Sequence, residues 1–326
     1  MLSTVFRPRG GVDYPRNRLE FDEFFPDDAA CLDYLEKLRW RDGFTCSSCG
    51  SAGTPWRASR GRLLCPHCRS QASVLAGTLF QGTRSPLRLW LLAAWEITSQ
   101  KYGANALGLK RVLGLGSYQT AWAWLQKYRR AMVRPGRDRL SGTVEVDESY
   151  IGGEEADVVG RKTISKSIVV IAAEVNDEKI GRIRLQFVPD VSRRTLRAFV
   201  SEAVDPGSIV HTDGWSGYQG LASCGYRHKV TMLSESVSPA HVVFPSAHLV
   251  VSLLKRWILG TLHGGISREH LPYYLDEFTF RFNRRTSRSR GLLFYRLVDQ
   301  AIHCGHTPTS ALYRGTGRGP RKKRKR

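Results

Sequence analysis

Two Cys-x-x-Cys pairs constrain this chain more than any other feature. Cys46 and Cys49 flank two serines, Cys65 and Cys68 flank Pro66 and His67, and fifteen residues separate the pairs. Each pair can place two thiolates on one side of a tight turn. Two such knuckles supply the four soft ligands of a tetrahedral zinc ion, a better use of this spacing than four reduced cysteines in a loop. The spacer has the length of a short hairpin. A site closed by four cysteines keeps no position for a substrate, so the expected zinc is structural. His67 could stand in for one cysteine, but the spacing favours its facing solvent or nucleic acid. Cys31, Cys224 and Cys304 are scattered, so the seven cysteines do not read as a disulfide framework.

The charge narrows the partner. Fifty Lys and Arg against 29 Asp and Glu give a formal net charge of +21. A balance this one-sided points to a polyanion, most often nucleic acid. A membrane surface is the rival reading, but no run of about eighteen apolar residues exists to span a bilayer. The N-terminal segment MLSTVFRPRGG lacks the apolar centre of a signal peptide. The expectation is a soluble, cytoplasmic protein without membrane contact.

The length of 326 residues suits two or three domains. The expected division is an N-terminal segment with zinc ribbon (1–80), a helical DNA-binding region (81–133), a linker (134–142), an α/β domain (143–300) and a basic disordered tail (301–326). FDEFFPDDAACLDYLEKLRW reads as a turn and a short helix capped by Asp27 or Asp28. SPLRLWLLAAWEITSQ is a strongly apolar helix with Pro86 near its first turn. ANALGLKRVLGL forms a second helix. After the turn GLGS, the segment SYQTAWAWLQKYRRAM forms a third with Ser117 as N-cap. Beyond the linker, TVEVDESYI, SIVVIAAEV, RIRLQFVPDV and SIVHTDG read as strands, with helix SRRTLRAFVSEAV between the last two. Two later helices fall near 246–259 and 267–285.

Two helices joined by a short glycine-containing turn are the pattern of a helix-turn-helix. The second would offer Gln119, Thr120, Gln126, Lys127, Arg129 and Arg130 to base edges and phosphates. A plain helical hairpin with Trp122 and Trp124 packed inward is the alternative.

Two aspartates stand at strand ends, Asp147 in TVEVDES and Asp213 in SIVHTDG. Period-two alternation puts Glu145 and Asp147 on one face. An acidic strand face is costly if buried without a partner, so it is either exposed or binds a cation. Hard divalent cations take oxygen ligands, and two of them about 3.5–4 Å apart can clamp a phosphodiester for in-line attack.

The chain resembles a known family at these residues. VEVDESYIGG, HTDGWSGY and HLVVSLLKRWILGTLHGG are similar to the nuclease domain of ISXO-like insertion-sequence transposases, members of the DDE superfamily with an N-terminal zinc ribbon. The segments CPHC, SVLAGTLF, PLRLWLLAAW, LGLGSYQTAW and YLDEFTFRFNRR follow in the family's order, so the resemblance runs from about residue 20 to 290. It implies an RNase H-like mixed sheet flanked by helices. It also implies that Asp147 and Asp213 are catalytic ligands of two Mg²⁺ or Mn²⁺ ions. The superfamily expects a third acid on a helix about 35 residues past the second aspartate, with a basic residue seven further on. Here the positions hold His248 and Lys255. Some members use Asn near what is Leu253 here, and Leu253 cannot ligate a metal. His248 is the first candidate for the third ligand, since neutral imidazole can bind a divalent metal, and Glu145 is a remoter one. Lys255 and Arg256 are expected to contact DNA phosphates, as are Arg284 and Arg285 beside Asn283.

The function so implied is DNA transposition. The N-terminal modules would bind the terminal inverted repeats, and the later domain would cut strands and transfer them to a target. Two DNA ends are involved, so a homo-oligomer is expected on DNA. The alternative is a decayed transposase acting only as a DNA-binding protein or repressor. A zinc-ribbon transcription factor would leave the paired aspartates and the β-rich second half unexplained.

Overall fold

The computed structural model describes residues 6–134, 136–152, 166–177, 179–232, 240–262 and 266–314. These divide into two compact units. One comprises the residues before 135 together with those after 286, the other the residues between.

The first unit is helical around a small sheet. Helix α1 (Arg18–Phe24) is capped by Asn17, and α2 (Asp28–Arg39) by Asp27, which accepts from the Ala30 amide. Helix α3 (Leu87–Ser99) follows Pro86 and is buried almost all round, as its continuous apolar sequence requires. Helix α4 (Ala106–Val112) and α5 (Tyr118–Ala131) form a hairpin, turned at Gly114 with φ of 62° and capped at Ser117. Helix α10 (Arg290–His303) lies, by sequence position, in the expected later domain and the start of the tail, yet it packs on α2, α3 and α5 of this unit. Its Phe294 lies 5.8 Å from Phe21 and 5.9 Å from Phe25, centroid to centroid. Burying rings of this size contributes about 1.5–3 kcal/mol each. A short α11 (Thr309–Arg314) comes next. The disorder expected of the basic tail concerns, beyond this helix, residues 315–326, which lie outside the described residues. Strands β1 (Trp56–Ala58), β2 (Arg62–Leu64) and β3 (Gln71–Ser73) make an antiparallel sheet in that order.

The second unit is a mixed sheet between helices. Its strands are β4 (Thr143–Ile151), β5 (Ser167–Asn176), β6 (Lys179–Val188), β7 (Ile209–Asp213) and β8 (Arg227–Thr231), in spatial order β6-β5-β4-β7-β8. The β6-β5-β4 part is antiparallel, while β7 runs parallel to β4 and β8 parallel to β7. Interior strand β5 is buried along most of its length, which explains its unbroken apolar run. On one face Val144, Val146 and Val210 pack against α6 (Arg193–Ala203). On the other, Val169 and Ile171 pack against α8 (Pro245–Leu262), which follows the short α7 (Ala240–Val243), and α9 (Leu271–Phe282). Strand β8 has no counterpart among the expected strands. Its RHKVT segment is mostly exposed at the sheet edge, so it shows no apolar alternation.

Candidate functional site

The cysteines converge as their spacing requires. Each knuckle turns on the residue after its second cysteine, and both are left-handed: Gly50 with φ of 72° and Arg69 with φ of 58°. The turns are matched bond for bond. Gly50 donates to the Cys46 carbonyl at 2.9 Å and Arg69 to the Cys65 carbonyl at 3.0 Å. A non-glycine residue in this region costs roughly 1–2 kcal/mol. The Arg69 guanidinium lies 5.4 Å from the centre of the Trp56 ring. All four sulfurs lie within 4.8 Å of one another, and Cys46–Cys68 and Cys49–Cys65 are 3.6 and 3.7 Å apart. A tetrahedral zinc with Zn–S bonds of about 2.3 Å needs sulfur–sulfur edges of about 3.8 Å. The donor set and its spacing therefore fit a structural zinc. None of the four is in a disulfide. His67 is exposed.

Helix α5 shows only part of the face expected of it. Gln119 and Arg130 are exposed, and Thr120 is half-buried in the capped first turn. Lys127 is 9% exposed, with its ammonium 5.6 Å from the centre of the Trp90 ring. Trp90 also stacks on Trp124 at 3.9 Å. Trp124 packs inward, while Trp122 is half-buried and stacks on Tyr313.

In the second unit, Asp147 and Asp213 come together from strands far apart in sequence. Parallel pairing matches Glu145 to His211. Counting two residues along each strand brings Asp147 level with Asp213, on neighbouring strands about 4.8 Å apart. Asp147 lies within β4, which continues to Ile151, whereas Asp213 does end β7. Each carboxylate has one oxygen held by backbone. Asp147 Oδ1 accepts from the Glu148 amide at 2.8 Å, and Asp213 Oδ1 from the Trp215 amide at 3.0 Å. Helix α8 brings His248 to the same place, with Nε2 at 3.8 Å from Asp147 Oδ2. That separation exceeds a hydrogen bond. Two carboxylates and an imidazole are a donor set that a divalent cation can use. Their ligand atoms do not gather as tightly as the cysteines. Among the described residues, the four sulfurs are the one group of three or more His, Cys, Asp or Glu ligands within 4.8 Å of one another.

The glutamates on either side of Asp147 point to opposite faces. Glu145 is 4% exposed, and its Oε2 accepts from the Ala247 amide at the start of α8, at 2.9 Å. Burial pushes its carboxyl above the ordinary range, against the pull of the Ala247 and Ser246 amides and the Ser246 hydroxyl. The acidic strand face is thus satisfied at Glu145 by a helix N-terminus, a third option beside exposure and a cation. Glu148, on the α6 side, accepts a 2.8 Å bond from the buried Tyr218 hydroxyl. Burial, then the charges of Glu148, Asp147 and Asp213, hold that hydroxyl well above its ordinary pKa, so it remains a donor. Gly217 lets the turn approach α6: a Cβ there would sit 2.7 Å from Leu196 Cδ1 on that helix and 2.7 Å from the Val191 carbonyl oxygen before it. Neither Glu148 nor Tyr218 is among the residues the sequence singles out. The available signal is a carboxylate on an apolar strand face, which demands a partner.

The basic residues divide similarly. Lys255 and Arg256 are exposed on α8. Arg284 lies 4.0 Å from the centre of the Phe280 ring, and Arg285 bonds to the Gly181 and Ile180 carbonyls of β6. Asn283 pairs with edge strand β6 as another strand would, accepting from the Ile183 amide at 2.7 Å and donating to its carbonyl at 3.1 Å.

Residues 26–71 match the transposase zinc-ribbon domain family, and residues 139–283 match the ISXO2-like transposase domain family. Both stretches are thus similar to transposase domain families. A protein of transposable element ISH50 from Halobacterium salinarum is 26% identical over 278 residues, covering 79% of this chain and 91% of the relative. A transposase-like protein of Haemophilus influenzae is 29% identical over 115 residues, covering 35% of this chain and 92% of the relative. These domains imply DNA binding and a DDE-type catalytic domain, and the four-cysteine cluster in a zinc ribbon supports structural zinc. No helix among the described residues is long and apolar enough to cross a membrane.

Proposed function

We propose that this chain is a DNA transposase that cleaves the ends of an insertion sequence and joins them to target DNA. The observation that carries the reading is the placement of Asp147 and Asp213 level with each other on neighbouring parallel strands, with His248 facing Asp147. Three antiparallel strands continued by two parallel ones, with helices on both faces, support an RNase H-like sheet. Asp147, Asp213 and His248 would hold divalent metal, Mg²⁺ or Mn²⁺, which when bound supplies Lewis-acid stabilisation of the phosphodiester and lowers the pKa of attacking water.

The protein groups position and hold. Backbone amides fix one oxygen of each aspartate, and the second oxygens of Asp147 and Asp213 face the reacting phosphate. Lys255 and Arg256 lie about two turns along α8 from His248 and contact DNA phosphates, setting register without reading sequence. Water opens the phosphodiester at the element end, and the freed 3′-hydroxyl then attacks a target phosphorus in line, displacing the 3′-oxygen of the cut target strand. No tyrosine or serine becomes covalently attached to DNA. The α4–α5 hairpin acts as the helix-turn-helix, with Gln119, Thr120 and Arg130 towards DNA, beside the zinc ribbon that binds the element ends. Two ends require an oligomeric assembly on DNA.

Purified protein with Mg²⁺ or Mn²⁺ should nick and join DNA carrying the element ends, and Asp147→Ala and Asp213→Ala should each abolish this while preserving end binding. Full activity in Asp147→Ala would sink the assignment. The second reading, a decayed transposase that only binds DNA, is favoured by the imidazole at the third position. It predicts an inactive wild type that His248→Glu revives.

A further inference from the structure

Three carboxylates lie within four residues of β4, and only one of them belongs to the proposed reaction centre. We propose that Glu145 and Glu148 are positioning residues, each fixing one of the two partners that Asp147 needs: Glu145 places His248, and Glu148 with Tyr218 places Asp213. The inference rests on the reading of Asp147, Asp213 and His248 as metal ligands.

The first half follows from the start of α8. A helix begins with amides that have no intrahelical partner, and here Pro245 opens the helix so that the next amides must be satisfied from outside. Glu145 satisfies that of Ala247 through a 2.9 Å bond. A carboxylate also suits the positive end of the helix dipole. His248 is the next residue after Ala247 and belongs to the same first turn. Glu145 is two residues before Asp147 on the same strand face. One rigid strand therefore carries both Asp147 and the anchor of the helix turn bearing His248, and the 3.8 Å gap between His248 Nε2 and Asp147 Oδ2 is set by that anchor.

The second half works on the opposite face. Asp213 ends β7, and its Oδ1 accepts from Trp215 in the turn that leads to Tyr218. Tyr218 is 1% exposed, and its hydroxyl reaches back across the sheet to Glu148 at 2.8 Å. Trp215 Nε1 donates to the Val191 carbonyl at 3.0 Å, and Gly217 admits the close approach to α6. The turn after Asp213 is thereby tied to the residue following Asp147. Glu145 and Glu148 point to opposite faces because two neighbouring sites of opposite parity must be held from one strand.

Neither glutamate is placed to ligate the cation with Asp147. Glu145 Oε2 is committed to α8, and Glu148 points away from His248. Partners of this kind, which orient ligands without touching the metal, typically change metal affinity or activity about 10- to 100-fold when removed.

The test uses the full zinc-loaded chain without DNA and measures two quantities: Mn²⁺ affinity by paramagnetic resonance, and amide exchange at residues 244–250 and 213–219. Glu145→Ala should weaken Mn²⁺ binding about 10- to 100-fold and speed exchange at Ser246 and Ala247 only. Glu145→Gln keeps an oxygen acceptor and should stay within about threefold of wild type, so a loss seen only in Ala is not general misfolding. Tyr218→Phe removes one hydroxyl and should weaken Mn²⁺ about tenfold while loosening 213–219 and leaving α8 protected. Wild-type affinity and wild-type exchange in Glu145→Ala and Tyr218→Phe would overturn the proposal. So would equal losses in Glu145→Gln and Glu145→Ala. Asp147→Ala tests the underlying reading separately. If it binds Mn²⁺ as the wild type does, the metal assignment fails, and the exchange pattern alone then decides whether the two glutamates hold α8 and the 213–219 turn.

Discussion

The zinc ribbon and the carboxylate centre bring ligands together by opposite means. In the ribbon all four ligands lie within 23 residues, and two matched left-handed turns aim each pair. Two of the sulfur pairs already stand near the tetrahedral edge length, and all four lie within 4.8 Å of one another. In the second unit, Asp147, Asp213 and His248 are separated by 66 and 35 residues and come from two strands and a helix. Their convergence is made by sheet register and by the anchor of α8, and it is looser. A structural metal site can thus be written into local chain geometry. A centre of the kind proposed, which would open to DNA and water, depends instead on long-range pairing and on the partners that hold it.

Removing the ribbon's metal probes this contrast hardest. Structural zinc carries about 10–16 kcal/mol of apparent binding energy in small domains, and the ribbon's own core is small: Phe44, Leu63 and the buried cysteines. Chelation, or Cys49→Ser, should abolish zinc uptake and unfold residues 44–73 as read by amide exchange, while exchange in β4, β5 and β7 stays unchanged. A ribbon that keeps its protection without zinc would show that the turns alone suffice.

The carboxylate centre should respond by degrees. His248→Ala should lower metal-dependent strand cleavage about 10- to 100-fold, and His248→Glu, which offers the harder oxygen ligand, should match or exceed the wild type. Steady-state rates with Mg²⁺ and with Mn²⁺ check both. Unchanged rates in His248→Ala would remove the imidazole from the site and leave two aspartates alone.

A smaller change is expected in the sheet that sets the register. Buried Glu174 on β5 is bonded by Arg182 of β6 at 2.6 Å. Burial pushes the Glu174 carboxyl up, but the bonds from Arg182 and from the Ser141 amide outweigh this and leave it below the ordinary value. A depressed carboxyl contributes stability above its unfolded pKa and loses it as pH falls through the folded one. The pair should therefore stabilise the second unit at neutral pH and not in acid. Arg182→Met should cost about 2 kcal/mol at pH 7, less than a fully buried pair because the arginine is partly exposed. Urea midpoints of variant and wild type should differ at neutral pH and converge in acid.

What the residues reveal in advance follows the same division. The knuckle spacing, the caps at Asp27 and Ser117 and the four apolar strands depend on neighbours in sequence, and each shows in local pattern. Strand β8 does not show, because an exposed edge carries no alternation. The return of α10 to the first unit is a tertiary choice made by Phe294 and its aromatic partners, which no local signal encodes. Lys127 looks like a face residue by spacing, yet its ammonium lies over Trp90. At the carboxylate centre the two aspartates are legible through family-like motifs. The use of Glu145 depends on where α8 begins, and that of Glu148 on a tyrosine 70 residues away.

Whether Asp147 and Asp213 form a metal-dependent centre for DNA strand transfer is decided most directly in vitro. Strand transfer is followed on DNA carrying the element ends, with divalent metal omitted and then restored, for wild type and Asp147→Ala side by side. Joined products should form only with the wild type and only after Mg²⁺ or Mn²⁺ is restored. Equal product from Asp147→Ala, or product that persists without metal, would refute the assignment.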